Sequence, residues 1–263
     1  MNLQHARMMA RIGAIALIVL IPILNKNSIT FITGTLYSMA IGPVWITDPL
    51  IGLQAVLTTL TIDKVLLLSM LIPAVLALVL GRVFCGWICP QNTLSEIVDR
   101  AARLLRTRRF HPAPTPLPRY IILGIVLVLT IIAGIPVASM LSAPGIISLQ
   151  IAKFVYEGVV GLELGLIGLI VLFELFGVRR GWCNYACPVG GFLGLFRFQK
   201  TLKVVMTEDA EHVCGKCNAC VAACQLGLNP MAKGIYPLCH NCGACISACK
   251  KIAPKREPLS FRF

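Results

Sequence analysis

Eight of the chain's twelve cysteines fall between Cys214 and Cys249, in two identical runs. Residues 214–224 read Cys214-x-x-Cys217-x-x-Cys220-x-x-x-Cys224, and residues 239–249 repeat this as Cys239-x-x-Cys242-x-x-Cys245-x-x-x-Cys249. In this spacing three thiolates of a tight loop hold one [4Fe–4S] cubane, and the fourth cysteine of each run reaches across to the other. The pattern assigns Cys214, Cys217, Cys220 and Cys249 to one cluster and Cys239, Cys242, Cys245 and Cys224 to a second. The proline that usually follows the fourth cysteine is replaced by Gln225 and Lys250, which bears on the local turn and not on the ligands. Structural zinc is the competing chemistry, but it uses two C-x-x-C pairs parted by a longer spacer.

The other four cysteines form two shorter motifs, Cys85-x-x-x-Cys89-Pro90 and Cys183-x-x-x-Cys187-Pro188. Residues four apart share a helix face, while the prolines disfavour helix at Cys89 and Cys187. One pair supplies two thiolates and an all-cysteine [4Fe–4S] cluster wants four. Two pairs brought together would hold a third cluster. Against this stand a redox-active dithiol at each pair, or buried cysteines that merely pack. Histidine is scarce, with His5, His111, His212 and His240 all outside the apolar runs, so haem b held between membrane histidines is not expected. His240 follows Cys239 and either tunes a nearby cluster or faces solvent. Asp48 and Gln54 are candidates for a quinone or proton site, with helix capping the plain alternative for Asp48. Glu163 and Glu174 sit near the ends of an apolar run, where intramembrane and interfacial roles compete.

These residues need elements to position them. The chain is 57% hydrophobic and 13% charged, with a mean hydropathy of +0.82, against about 25% charged in soluble domains. Four stretches approach the roughly 20 apolar residues of a spanning helix: 12–31, 65–81, 120–140 and 159–178. The first is read as a retained helix and not a cleaved signal. Arg7 and Arg11, the arginines of the 82–119 loop, and Arg179, Arg180, Arg197 and Lys200 fall on one side. Only Lys26, Lys64 and Lys153 fall on the other. The positive-inside rule then places both termini in the cytoplasm, with a multi-pass chain in the inner membrane. That explains the net charge of +13 without nucleic acid and argues against disulfides.

The membrane part reads as two copies of one unit. "TDPLIGLQ" leads through an apolar run to "GRVFCGWICP", and "SAPGIISLQ" leads through another to "VRRGWCNYACP". Aligning Cys85 with Cys183 pairs Arg82 with Arg180, Trp87 with Tyr185, Cys89 with Cys187 and Pro90 with Pro188. Each copy crosses twice, so the repeats are parallel and both cysteine motifs land on one side. Two short outer helices opening at Pro49 and Pro144 and an amphipathic helix over 90–107, with Ile97, Ala101, Leu104 and Leu105 as its apolar stripe, complete the pattern. The fold class is therefore an all-α membrane domain over 1–205, of four helices in two parallel repeats with outer half-helices. It is fused to a small α+β double [4Fe–4S] ferredoxin domain over 206–263.

Four spans, the two C-x-x-x-C-P segments and the C-terminal double run resemble the NapH-type membrane-bound polyferredoxins. These are quinol dehydrogenase components that accompany periplasmic nitrate reductase and related respiratory systems. The resemblance covers nearly the whole chain, and "DPLIGLQ" recurs in that family. It implies an oxidoreductase subunit that passes electrons between the quinone or quinol pool and partner redox subunits, an iron–sulfur protein or a cytochrome. Substrate chemistry would then lie on those partners, as no flavin or nicotinamide fingerprint and no catalytic triad is present. Two alternatives remain: a membrane-anchored iron–sulfur protein for metal-centre maturation or regulation, and a subunit carrying electrons from a cytoplasmic donor toward quinone.

Overall fold

A computed structural model of the chain describes residues 3–28, 30–111, 115–197, 200–207, 217–232, 238–252 and 258–263. Cys214, His212 and residues 112–114 of the proline-rich connector lie outside them. Helix α1 (Leu3–Lys26) turns Arg7 and Arg11 inward while Met9 and Leu17 face outward. It is followed by an antiparallel three-stranded meander of β1 (Ile32–Gly34), β2 (Ser38–Ile41) and β3 (Val44–Thr47). The expected first span, 12–31, is thus shifted: the helix begins at Leu3 and stops at Lys26. The sheet between it and the next helix was not anticipated from the sequence.

The first repeat continues with α2 (Pro49–Thr59), α3 (Lys64–Leu80), α4 (Val83–Trp87) and α5 (Pro90–Leu104). The second follows α6 (Leu117–Ala133) and α7 (Val137–Leu141), with α8 (Ala143–Glu157) and α9 (Leu164–Leu172). Two π-helical turns, Phe173–Gly177 and Trp182–Ala186, then lead into α10 (Pro188–Leu195). Prolines stand at the first turns of α2, α5, α6, α8 and α10, where the missing N–H costs nothing. Among the described residues only α1 is long and apolar enough to cross a membrane. The apolar helix α3 matches its expected run in length, while α6 and α9 with its π turn are shorter than theirs. Glycines in positive-φ conformation end two of them, Gly81 after α3 and Gly134 after α6.

Leu50 of α2, Leu123 and Val126 of α6, and Val189 and Phe192 of α10 form the main apolar core. Helix α5 packs with its hydrophilic side inward: Gln91, Asn92, Ser95 and Asp99 are buried, while Ile97, Leu104 and Leu105 face outward. The buried Asp99 is satisfied by three cations, Arg109 at 2.8 Å, Arg180 at 3.0 Å and Arg179 at 3.5 Å. Burial acts to raise the Asp99 carboxyl, but these guanidinium groups outweigh it and hold it below the usual range.

The C-terminal layer starts at Lys203, slightly before the expected boundary at 206. Strand β4 (Lys203–Met206) pairs antiparallel with β5 (Leu259–Arg262), Val204 opposite Phe261. Helices α11 (Ala219–Ala223) and α12 (Ala244–Ile252) lie against this pair over Val204, Cys220, Cys245, Cys249 and Leu259. This layer is fastened to the end of α3. Its orphaned carbonyls are taken up by Thr201, whose hydroxyl donates to the Leu78 oxygen at 2.7 Å, and by Asn241, whose amide donates to the Leu80 oxygen at 3.0 Å.

Candidate metal centre

Cys85 lies in α4 and Cys183 in the second π turn, while Cys89 and Cys187 are the N-caps of α5 and α10. The following prolines force the second cysteine of each pair out of the helix. Cys89 adopts φ −58°, ψ 119° and Cys187 φ −64°, ψ 112°. The two motifs therefore break in the same way. The fold brings the four thiols together: burial pushes Cys89 up, and Cys85, Cys183 and Cys187, all close enough to matter, push it further. Burial likewise raises Cys187 to about 11, with neighbouring Cys85 adding to it, and the Arg119 and Arg82 guanidinium groups oppose the rise. Four neighbouring thiols, Cys89 buried and the other three half-buried, with the Arg82 and Arg119 cations alongside, suit ligation by a metal cluster that takes them as thiolates. Arg119 is fully buried and donates to the carbonyl oxygens of Cys183 at 2.5 Å and Asn184 at 2.9 Å.

A second set meets in the C-terminal layer. Cys224, Cys239, Cys242 and Cys245 line one small apolar cavity, with His240 and Leu228 beside them. Those four are the residues that crossed ligation groups together. Burial raises Cys239 to about 11, and Cys242 and Cys224 reinforce it. Of the other set, Cys220 and Cys249 share the buried core with Cys245, Cys217 is exposed, and Cys214 is outside the described residues. Among the described residues no three His, Cys, Asp or Glu side chains converge as a single metal ion requires. A cubane spreads its four thiolates wider than a mononuclear ion does, so the donor set fits the cluster better than zinc. All eleven described cysteines are free thiols.

The two regions touch. Cys183 packs on the same small apolar cluster, Leu226, Leu228 and Leu238, that carries Cys224 and Cys239. Polar anchors hold this contact. Arg82 donates to the Leu238 carbonyl at 2.8 Å, Arg197 to the Cys239 carbonyl at 2.7 Å, and the Trp87 indole to the Asn241 carbonyl at 3.0 Å. Arg119, Arg197 and Asn241 were not singled out from the sequence. Asn241 sits between Cys239 and Cys242 at φ 52°, a conformation asparagine tolerates, and that position was the available signal. His240 is buried rather than solvent-facing, against Gly86.

Asp48 caps α2, its Oδ1 accepting from the Leu50 N–H at 2.9 Å. It also lines an apolar cavity of about 400 Å³. Burial pushes its carboxyl up to about 6, against the lowering effect of the Leu50 and Ile51 amides. Gln54 is elsewhere: it is buried, and its Oε1 accepts from the Ser139 N–H at 3.1 Å. Its repeat partner Gln150 accepts from the Gly161 N–H at 2.7 Å, so Gln150 braces the loop after its own helix while Gln54 reaches across to α7. Glu163 is exposed and bonds Lys153 and Gln150. Glu174 is fully buried in the first π turn.

The 4Fe–4S binding domain family model matches twice, over residues 63–110 and 159–204. Each match contains one C-x-x-x-C-P motif, so the unit that the family model describes occurs here in duplicate. The methylamine utilization ferredoxin-type protein MauN of Methylobacillus flagellatus is 29% identical over 71% of this chain and 64% of its own length. MauN of Methylorubrum extorquens is 33% identical over 71% and 63%. The ferredoxin-type protein NapH of Escherichia coli is 27% identical over 71% and 63%. The chain is similar to these ferredoxin-type proteins and spans less than two thirds of their length. No solved structure matches.

Proposed function

We propose that this chain is a membrane subunit that passes electrons between the quinol pool and partner redox proteins, as a component of a quinol dehydrogenase. The observation that carries this is the contact of Cys183 with the apolar cluster bearing Cys224 and Cys239. It sets the duplicated cysteine motifs directly beside the C-terminal cysteine runs. Cys85, Cys89, Cys183 and Cys187 would hold one [4Fe–4S] cluster; Cys239, Cys242, Cys245 and Cys224 a second; and Cys214, Cys217, Cys220 and Cys249 a third. Such clusters supply one-electron transfer, so a row of them splits the two electrons of a quinol. The protein's own part is to hold them in contact through Leu226, Leu228 and Leu238 and to balance their charge with Arg82 and Arg119.

A bilayer around the first 205 residues accounts for the outward faces of the apolar helices. Val65, Leu68, Leu71, Ile72 and Val75 of α3 and Ile121, Ile125 and Val128 of α6 are all exposed. An apolar surface of that extent is unusual on a soluble protein. In this arrangement α1, α3, α6 and α9 are the four spans, and both termini and all twelve cysteines lie on the cytoplasmic side. Helices α2 and α8 are the outer half-helices, and α5 lies at the interface with Ile97, Leu104 and Leu105 toward lipid. A reporter fused after Phe263 should then be active in the cytoplasm and one inserted at Lys153 on the opposite side. The reverse pattern would overturn the orientation. Reduction of the clusters by quinol in native membranes, followed by EPR, tests the electron-transfer role.

A further inference from the structure

The geometry points to the cavity between α3, α4 and the β-meander as the quinol site, with Asp48 as its proton acceptor. This rests on the quinol-linked function proposed above and assigns its location. The cavity, about 400 Å³, is within the range of small-molecule sites. It is the size for a quinol ring and the first part of an apolar tail. Its wall is apolar and buried at Ala77, Val189 and Leu193, while Leu76 and Ile88 at its rim are exposed. That rim adjoins the outward apolar face of α3, the direction from which a lipid-soluble molecule would arrive.

Two features make it more than a gap between helices. Asp48 lies in its wall, a carboxylate pushed up to about 6 by burial, free of any ion pair among the described residues. Phe84 and Ile88 also line it, and each is the residue before a motif cysteine, Cys85 and Cys89. Cys85 and Cys187 pack on the same apolar core as Ala77 and Val189. The cavity thus joins a proton acceptor to the neighbourhood of an electron acceptor.

The second repeat supplies an internal comparison. Cys183 follows Cys85 by 98 positions. The same offset takes Leu76 and Phe84 to Glu174 and Trp182, and takes Ser95 to Leu193. Glu174 is buried, with Ser95 hydrogen-bonded to it. On one side of the duplication these positions form a packed polar group; on the other they leave an apolar cavity beside a carboxylate. In the reaction, the two O–H bonds of the quinol break and the ring oxygens become carbonyls. Asp48 accepts the two protons in turn, releasing each to water at the meander side. An iron–sulfur cluster held by the adjacent cysteines would be the one-electron oxidant that takes the two electrons one at a time.

Full-length protein purified from membranes should carry quinone extractable by organic solvent, and its clusters should be reduced by a short-chain naphthoquinol. Ala77→Trp fills the cavity and Leu76→Trp closes its rim. Each should lower bound quinone about tenfold or more, a cost of about 1.4 kcal/mol or more in binding, with iron content and reduction by dithionite unchanged. Leu76→Trp covers the case in which the buried Ala77 variant loses iron through misfolding. Asp48→Asn should keep quinone bound but slow quinol-driven reduction about a hundredfold. It should also remove the rise in rate between about pH 5 and pH 7 that ionisation of a carboxyl at about 6 produces. If wild-type clusters accept electrons from quinol and both tryptophan variants retain wild-type quinone and rates, this cavity is not the site and the function stands. Loss of phospholipid in place of quinone would equally overturn the assignment. If wild type neither holds quinone nor reacts with quinol, the quinol-linked function itself falls.

Discussion

Replacing Glu96 by glutamine should loosen the joint between the N-terminal helix and the C-terminal layer. The Glu96 carboxylate receives Arg7 at 2.9 Å, Arg11, Arg100 at 3.2 Å, and Gln225, whose amide donates at 3.0 Å. Burial alone would raise this carboxyl, but Arg11 and Arg7 bring it down to about 2. Relative to an ordinary glutamate near 4.5, the anion is stabilised by about 3 kcal/mol, at about 1.4 kcal/mol per pH unit. Leaving two buried guanidinium groups without their anion costs about 3–5 kcal/mol by the general experience of buried pairs. Glu96→Gln should therefore melt about 6–20 °C below wild type at neutral pH, at about 2–4 °C per kcal/mol. Tryptophan fluorescence in detergent, with cluster absorbance read in parallel, gives the measurement. A depressed carboxyl contributes fully above its unfolded pKa and loses its contribution as pH falls toward the folded one. The difference between the two proteins should therefore narrow below about pH 4.5. A Glu96→Gln protein melting within about 2 °C of wild type at pH 7 would refute the reasoning.

Three cubanes predict about twelve irons per chain, and Cys85→Ser and Cys183→Ser should each remove the same four or so, where separate dithiols predict no change in iron. Crossed ligation predicts that the EPR spectrum of Cys249→Ser matches that of Cys217→Ser and not that of Cys242→Ser. At Gly86 an added Cβ would come within 2.6 Å of the His240 carbonyl oxygen and 2.7 Å of its ring. Gly86→Ala should then prise the C-terminal layer from α4 and speed hydrogen exchange at residues 238–242; unchanged exchange would contradict that contact. Arg119→Met removes the terminal nitrogen that donates to both the Cys183 and Asn184 carbonyls, and should lower iron at the duplicated motifs while sparing the other eight or so.

The cysteine sets were legible because thiolate spacing is written in the chain itself, and the duplication because Arg82, Cys85, Cys89 and Pro90 recur in register as Arg180, Cys183, Cys187 and Pro188. Asn241, Arg119 and Arg197 were not, since each acts on backbone carbonyls, and no residue type marks a carbonyl that folding leaves unpaired. The β-meander was hidden for another reason. Its strands are three or four residues long and adjoin an apolar helix, so alternation had no length in which to show. Gln54 and Asp48 stand six residues apart in one recurring segment and read alike, yet the turn of α2 sends one to the Ser139 amide and the other to a cavity.

The two arginine contacts at the seam follow from the duplication. Under the offset that relates the repeats, Arg180 corresponds to Arg82, and Asp99 corresponds to Arg197. On one flank the pair is opposite in sign and closes on itself, Arg180 with Asp99 at 3.0 Å. On the other both members are cationic and cannot satisfy each other, so they reach to the carbonyls of Leu238 and Cys239. A single difference of charge thus separates a self-sealing flank from a socket for the C-terminal layer. Two copies of the first half would seal both flanks and leave the appended cysteines no berth; two copies of the second would offer sockets with no seal. The halves have become complementary parts, and neither can stand in for the other.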